Sequence, residues 1–319
     1  MDKIEHRIVS TNGINLHVAE IGSGPPVLLL HGFPELWYSW RHQMVSLASS
    51  GYRAIAPDLR GYGDSDSPPS VDSYTVHHIV GDLVGLLSAL KVDQPVFLVG
   101  HDWGAIVAWI FTLFRPDLIK ALVNISVPFV PRDPSIKPVT ALRDIFGDQF
   151  YICTFQEAGA TEELFAKVPT DKFIKSILLS RNPKPPRFTK DRIQALLDAP
   201  NQTQMPSWLT EEDVQYFAGK FDKSGFTGGL NYYRAIDKSW ELFAPWGGAK
   251  VKVPTKFIVG DLDLTYNMPG AKEYINGDGF KEHVPYMQEV IVLEDAGHFV
   301  NQEKHQEITA HILDFIAKF

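Results

Sequence analysis

Short apolar runs and amphipathic stretches alternate through the first 130 residues. Ile14-Asn-Leu-His-Val-Ala-Glu20 has the period-two alternation of a half-buried strand. Pro26-Val-Leu-Leu-Leu30 is apolar throughout, which suits a strand buried on both faces. Arg53-Ala-Ile-Ala-Pro57 and Val96-Phe-Leu-Val-Gly100 read the same way. Between them, His78 to Leu90 carries apolar residues at helical spacing, and Trp103 to Phe114 is apolar on most sides, which predicts a deeply buried helix. Strands alternating with helices predict a mostly parallel sheet covered on both faces.

The pattern breaks near residue 130 and stays broken to about 244. Prolines crowd the start (Pro128, Pro131, Pro134, Pro138), helical stretches follow, and Tyr, Phe and Trp are abundant. This stretch reads as an inserted helical domain. Strand signals return at Thr255-Lys-Phe-Ile-Val-Gly260 and Glu289-Val-Ile-Val-Leu293, and an amphipathic helix is expected from Gln302 to Phe319. The expected organisation is a first core part at 1–129, a helical cap at 130–244 and a second core part at 245–319.

Composition narrows the class. The chain has 319 residues, 45% hydrophobic and 21% charged, as in an ordinary globular protein. With 30 Lys plus Arg against 38 Asp plus Glu, the formal net charge of −8 disfavours nucleic acid as a partner. The single cysteine, Cys153, allows neither an intrachain disulfide nor a cysteine-rich zinc site. No apolar run approaches the roughly 18 residues of a membrane span, and no signal-peptide pattern opens the chain, so a reducing compartment, most simply the cytosol, is expected.

The sharpest local signal is Gly100-His-Asp-Trp-Gly104. It joins a buried strand to a buried helix, the setting of a nucleophile elbow, with Asp102 at the nucleophile position. Such an elbow needs an acid and a histidine later in the chain. Gly260-Asp-Leu-Asp-Leu264 offers Asp261 and Asp263 for the acid, and Asp295-Ala-Gly-His-Phe299 offers His298 just past a strand. His31-Gly-Phe-Pro34 follows another strand, where a backbone N–H of an oxyanion hole belongs, and the N–H of Trp103 supplies the other. His31 itself is expected to bond the loop backbone. Pro34 is expected to fix the loop's shape, and an X-Pro bond is where a cis form occurs.

A carboxylate nucleophile limits the chemistry. Attack on an acyl carbon would give a mixed anhydride. Attack on a saturated carbon gives an alkyl ester that activated water can hydrolyse. The leaving group is then a halide or an epoxide oxygen, and the latter needs a proton from a neutral acid such as tyrosine. Tyr151, Tyr216, Tyr232 and Tyr233 lie in the inserted region, the last two on a plausible helix where successive rings point apart.

Taken together, these motifs resemble those of the plant-type soluble epoxide hydrolases of the α/β-hydrolase superfamily. The resemblance spans essentially the whole chain and rests on His31-Gly-Phe-Pro-Glu-Leu-Trp-Tyr-Ser-Trp40, Asp58-Leu-Arg-Gly-Tyr-Gly-Asp64, the elbow, Asn231-Tyr-Tyr-Arg234 and Gly297-His-Phe299. It implies an α/β-hydrolase fold with a helical cap and no metal or organic cofactor. It implies Asp102 as nucleophile, His298 as water-activating base and Asp263, rather than Asp261, as its orienting acid. Tyr151 and Tyr233 match the cap tyrosines that hold and protonate the epoxide oxygen. Phe33 and Trp103 match the oxyanion-hole positions through their backbone N–H groups. Glu35 and His101 resemble residues that help hold the hydrolytic water, with a purely scaffolding role the alternative for both. The implied partners are a small apolar epoxide, of a fatty acid or an aromatic compound, and water. A monomer or homodimer is expected, without the separate phosphatase domain of the mammalian members. Two rival readings share the fold: a haloalkane or haloacid dehalogenase, which Trp103 favours and Phe33 disfavours, and a non-catalytic small-molecule receptor, which the intact Asp–Asp–His set disfavours.

Overall fold

The computed structural model describes residues 3–198 and 205–319. Its centre is an eight-stranded sheet: β1 (Glu5–Thr11), β2 (Ile14–Ile21), β3 (Pro26–Leu30), β4 (Arg53–Pro57), β5 (Val96–His101), β6 (Ile119–Ile125), β7 (Thr255–Gly260) and β8 (Met287–Leu293). The spatial order is β1-β2-β4-β3-β5-β6-β7-β8. The β1–β2 and β2–β4 pairings are antiparallel and every other pairing is parallel. All residues of β3 and β5 are buried, as strands covered by helices on both faces must be. The apolar helix Trp103–Phe114 packs on β3, β5 and β6.

Two strands escaped the sequence pattern. β1 is an edge strand with five of its seven residues exposed, so it carries no apolar signature. In β6, Lys120 and Asn124 interrupt the apolar run. Asn124 is buried because its amide donates to the Ala105 carbonyl at the start of the neighbouring helix. The C-terminal helix also differs from the single element expected. It divides at Lys304 (φ −115°, ψ 40°) into Val300–Glu303 and His305–Ile316. The second helix of the core runs Val76–Ala89.

Between β6 and β7 the chain is helical, with helices such as Pro138–Phe146, Tyr151–Thr154, Thr170–Leu178, Glu211–Ser224 and Thr227–Arg234. Thr210 opens one of these with a reciprocal cap, its side chain and backbone exchanging bonds with Asp213. This helical layer lies against the loops at the carboxyl ends of the parallel strands. Contact is close where Thr227–Arg234 meets the loop after β3. A Cβ on Gly229 would sit 2.7 Å from the Phe33 ring, so glycine there lets the helix come down onto Phe33. Ligands of such sheets bind at this end of the strands.

Candidate active site

Asp102, Asp263, His298 and the Phe33 N–H come from loops at the carboxyl ends of parallel strands, and parallel strands bring those ends together. Asp102 follows β5 with φ 53° and ψ −120°, a conformation that L-residues rarely adopt. The elbow is possible because Gly104 has no Cβ to collide with the Leu30 carbonyl, and Gly32 none to collide with Asp102. The turn leaves the Asp102 carboxylate facing the cleft.

Three groups meet there. The Phe33 N–H donates to Asp102 Oδ1 at 2.7 Å. His298 Nε2 lies 3.4 Å from Asp102 Oδ2. On the far side of the ring, His298 Nδ1 lies 3.0 Å from Asp263 Oδ1. Asp263 is fully buried and is fixed by the Thr265 N–H and hydroxyl, both on Oδ1. Burial pulls His298 toward its neutral form, but the carboxylates of Asp263 and Asp102 outweigh it and hold its pKa well above the ordinary histidine value. Burial raises the pKa of Asp263, yet the adjacent His298 ring keeps it below the usual carboxylate range.

Asp261, the other acid considered, does not reach His298. Its carboxylate accepts the Ala296 N–H at 3.1 Å and shapes the loop that carries His298. Beneath the site lies a fully buried pair, with His101 Nδ1 2.6 Å from Glu35 Oε2. His101 Nε2 faces the His298 carbonyl at 2.8 Å. With Glu35 ionised, both ring nitrogens meet acceptors, which makes His101 an imidazolium. Consistent with this, burial alone would neutralise both partners, but their mutual attraction holds Glu35 down to about 2 and His101 above its ordinary value. Glu35 also accepts from the Gly32 N–H, the Asn301 amide and the Gln302 amide, so it ties the β3 loop to the final helices.

His31 has both ring nitrogens on backbone. Nδ1–H donates to the Gly32 carbonyl and Nε2 accepts the Leu59 N–H. The Phe33–Pro34 peptide bond is cis.

The helical layer supplies the opposite wall. Tyr151 and Tyr233 line the cleft together with Asp102 and His298, their rings 5.9 Å apart at 76°. Tyr233 also packs edge-on against Phe33 and Trp103. Its neighbour Tyr232 turns away, and its hydroxyl donates to the Arg60 carbonyl. Tyr216 is engaged elsewhere, accepting the Trp37 indole N–H. Burial and then the Asp102 carboxylate push both Tyr151 and Tyr233 well above the ordinary phenol value, so both are protonated acids at neutral pH. The remaining walls are largely apolar, with Phe155, Ile177, Phe188, Leu262 and Leu264.

Sequence reading overlooked several residues that hold this geometry. Ser126, just past the unrecognised β6, places its hydroxyl 3.1 Å from His298 Nδ1. Thr265, Asn301 and Gln302 were also passed over. The available signal was position: each is a polar residue within a few positions of a strand end or a site histidine.

Comparison with known proteins fits this geometry. Residues 25–304 match the family described as the alpha/beta hydrolase fold. The chain is 62% identical to epoxide hydrolase 2 of Siraitia grosvenorii, with all of both chains aligned. It is 38% identical to epoxide hydrolase A of Mycobacterium tuberculosis, over 97% of this chain and 96% of that one. The chain belongs to the epoxide hydrolase family of α/β hydrolases. Within that family, its fold superposes on an epoxide hydrolase from Vigna radiata with a TM-score of 0.96 at 56% identity, over 100% of this chain and 99% of the other. A variant of the family member from Solanum tuberosum matches at 0.94 and 54% identity, over 99% and 100%. Among the described residues, no helix is long and apolar enough to cross a membrane.

Proposed function

We propose that this epoxide hydrolase opens its substrate by covalent catalysis on Asp102, under a cap formed by residues 130–244, and releases a vicinal diol. The observation that carries this reading is the division of labour on one carboxylate. Oδ1 is held by the Phe33 N–H, and Oδ2 faces the cleft beside His298.

In the first step an Asp102 oxygen attacks one carbon of the oxirane. The carbon–oxygen bond of the ring breaks, and the epoxide oxygen takes the phenolic proton of Tyr151 or Tyr233. An alkyl ester and a tyrosinate result. Phenols with raised pKa stay protonated until alkoxide character develops, which suits them to this role. Esterification also removes the Asp102 charge, one of the two that raise the His298 pKa. The imidazolium then gives its proton to the tyrosinate, through water, and His298 is left as a neutral base.

In the second step His298 takes a proton from water, and the hydroxide adds to the ester carbonyl carbon. Oδ1, already on the Phe33 N–H, becomes the oxyanion, with the Trp103 N–H as the second donor. Collapse expels the diol alkoxide, which recovers the proton from His298, and Asp102 is regenerated. Asp263 holds the imidazole tautomer and offsets its transient charge. His101 and Glu35 fix the His298 backbone from below. The apolar cleft suits epoxides of fatty acids or aromatic compounds, and a reducing, cytosolic setting and a monomer or homodimer complete the proposal.

The test is intact mass spectrometry of the His298→Gln variant after exposure to a styrene-type epoxide and, separately, to a bromoalkane. An adduct of the whole epoxide mapped to Asp102 is expected. An alkyl adduct with loss of bromide, and none from the epoxide, would make the site a dehalogenase. No adduct from either would refute the covalent route.

A further inference from the structure

We propose that the outer edge of the sheet carries a binding site for a borderline transition-metal dication such as Zn²⁺, built by His6, His17 and Asp64 and braced by Asp58. The site is separate from the cleft and does not depend on the reading of the mechanism.

The argument begins with the antiparallel pairing of β1 and β2. Ile8 stands opposite His17 and Ala19 opposite His6, so the two histidines are diagonal neighbours on one face. His6 Nδ1 and His17 Nε2 are 3.0 Å apart, and the rings are nearly coplanar at 11° with centroids 5.2 Å apart. The two nitrogens therefore point at one another.

The ring of His17 is held from behind. Its Nδ1–H donates to Asp58 Oδ2 at 2.8 Å, in a pocket where Asp58 is almost fully buried. Asp58 is in turn held by the N–H groups of Trp37 and Asp64. With Nδ1 on Asp58, Nε2 is the nitrogen of His17 left to ligate a metal. A carboxylate behind one imidazole nitrogen, leaving the other free to ligate, is the recurrent arrangement at protein metal centres. In the metal-free protein a single hydrogen bond spans the gap between the two imidazole nitrogens. One exchangeable proton thus occupies the gap between two imidazole nitrogens, and a dication can replace it.

Asp64 would be the third donor, and it must turn from its present place beside His17 and Asp58 toward His6 to complete the set. Ligating atoms of His17, Asp58 and Asp64 lie within 4.8 Å of one another. Tetrahedral zinc with bonds of about 2.0–2.1 Å sets two nitrogen ligands about 3.3 Å apart, so the imidazoles need separate only slightly. They must also tilt so that both lone pairs converge on the ion. His6 is exposed, on an edge strand, and can swing to do so, while His17 stays fixed. The open side leaves room for water as the fourth ligand. Two cations oppose binding: Lys220 pairs with Asp64 and must yield or share that carboxylate, and Lys223 acts on it from farther off. A metal bound here would pin β1, whose side chains are otherwise mostly exposed, to β2 and to the loop that carries Asp58.

The test is calorimetric titration of the untagged full chain with Zn²⁺, alongside thermal unfolding with and without the ion. One equivalent should bind and raise the unfolding temperature, as a ligand of the folded state must. His6→Ala and His6→Gln should each weaken binding about tenfold or more, with metal-free epoxide hydrolysis unchanged as the check on folding. Lys220→Ala should tighten it by removing the nearer competing cation. Absence of saturable binding would overturn the proposal. So would binding unchanged in both His6 variants, or binding lost in His305→Ala instead, which would place the ion at the stacked His42–His305 pair.

Discussion

The backbone N–H of Phe33 donates to Asp102 Oδ1 at 2.7 Å, while Oδ2 of the same carboxylate lies 3.4 Å from His298 Nε2. The two oxygens are therefore not equivalent. In the proposed mechanism Oδ2 attacks and leaves in the diol, and Oδ1 stays behind as the carbonyl. A single turnover in heavy-oxygen water should give unlabelled diol and place the label on Asp102. Mass analysis of both products checks this. Label in the diol and none in the protein would mean that water attacks the epoxide directly.

Adjacent tyrosines supply an internal control. Tyr233 lines the cleft, whereas Tyr232 sends its hydroxyl to the Arg60 carbonyl. Tyr233→Phe and Tyr151→Phe should each slow ester formation by about 10–100-fold, and the double change should slow it further, because loss of an acid catalyst is typically worth ~10²–10⁴. Tyr232→Phe should leave ester formation unchanged and cost about 1 kcal/mol of stability, the usual net worth of one buried hydrogen bond. Single-turnover kinetics and thermal unfolding separate the effects. Equal slowing by all three substitutions would point to a packing effect rather than proton donation.

Much of this arrangement was legible in the sequence because strand ends and small-residue turns leave local marks. Gly100 and Gly104 announce the turn that exposes Asp102. Residues 26–30 and 96–100 declare buried strands by their apolar runs. What stayed hidden depends on partners distant in sequence. β1 is stabilised by pairing with β2 rather than by its own apolar face. Asn124 looks like an interruption until Ala105 is seen to accept its amide. Ser126 and Thr265 are ordinary loop residues in sequence, and their meaning appears only when β6 and β7 bring them beside His298 and Asp263. The choice between Asp261 and Asp263 likewise could not be made from spacing. It turns on which carboxylate faces the imidazole and which one braces the Ala296 N–H.

The buried Glu35–His101 pair should reveal itself through pH. Glu35 is held down to about 2, from 4.5, despite complete burial. A carboxylate with a depressed folded-state pKa contributes stability that is full above the unfolded value and is lost as pH falls toward the folded one. Glu35→Gln leaves the His101 cation without its partner and should cost about 3–5 kcal/mol at neutral pH. Below about 4.5 the wild type loses this contribution progressively, so the gap between the two proteins should narrow toward acid. Denaturant unfolding at a series of pH values measures that gap. A gap that is constant from neutral pH into this window would mean that the pair is not ionic.

The last prediction concerns the proton on His298. In the free enzyme burial lowers its pKa, but Asp263 and Asp102 together raise it well above the ordinary value of 6.5. Ester formation neutralises Asp102 and removes one of the two raising charges, so the pKa must fall in the intermediate. Two consequences have fixed signs. The hydrolytic step should be fast above the intermediate's pKa and should decline as pH drops through it, since only neutral His298 accepts a proton from water. That inflection should lie at lower pH than the one obtained by titrating His298 in the free enzyme. Asp263→Asn removes the other raising charge, so it should move the inflection lower still. It should also slow hydrolysis by about 10³-fold or more, because the imidazole loses the acceptor that fixes its tautomer. Formation of the ester should suffer far less, since that step needs Asp102 and the tyrosines rather than a base. Rapid-mixing measurement of ester accumulation and decay across pH resolves both steps. An inflection shared by the free enzyme and the intermediate would show that Asp102 does not govern the His298 proton, and equal slowing of both steps in Asp263→Asn would assign that residue to the scaffold.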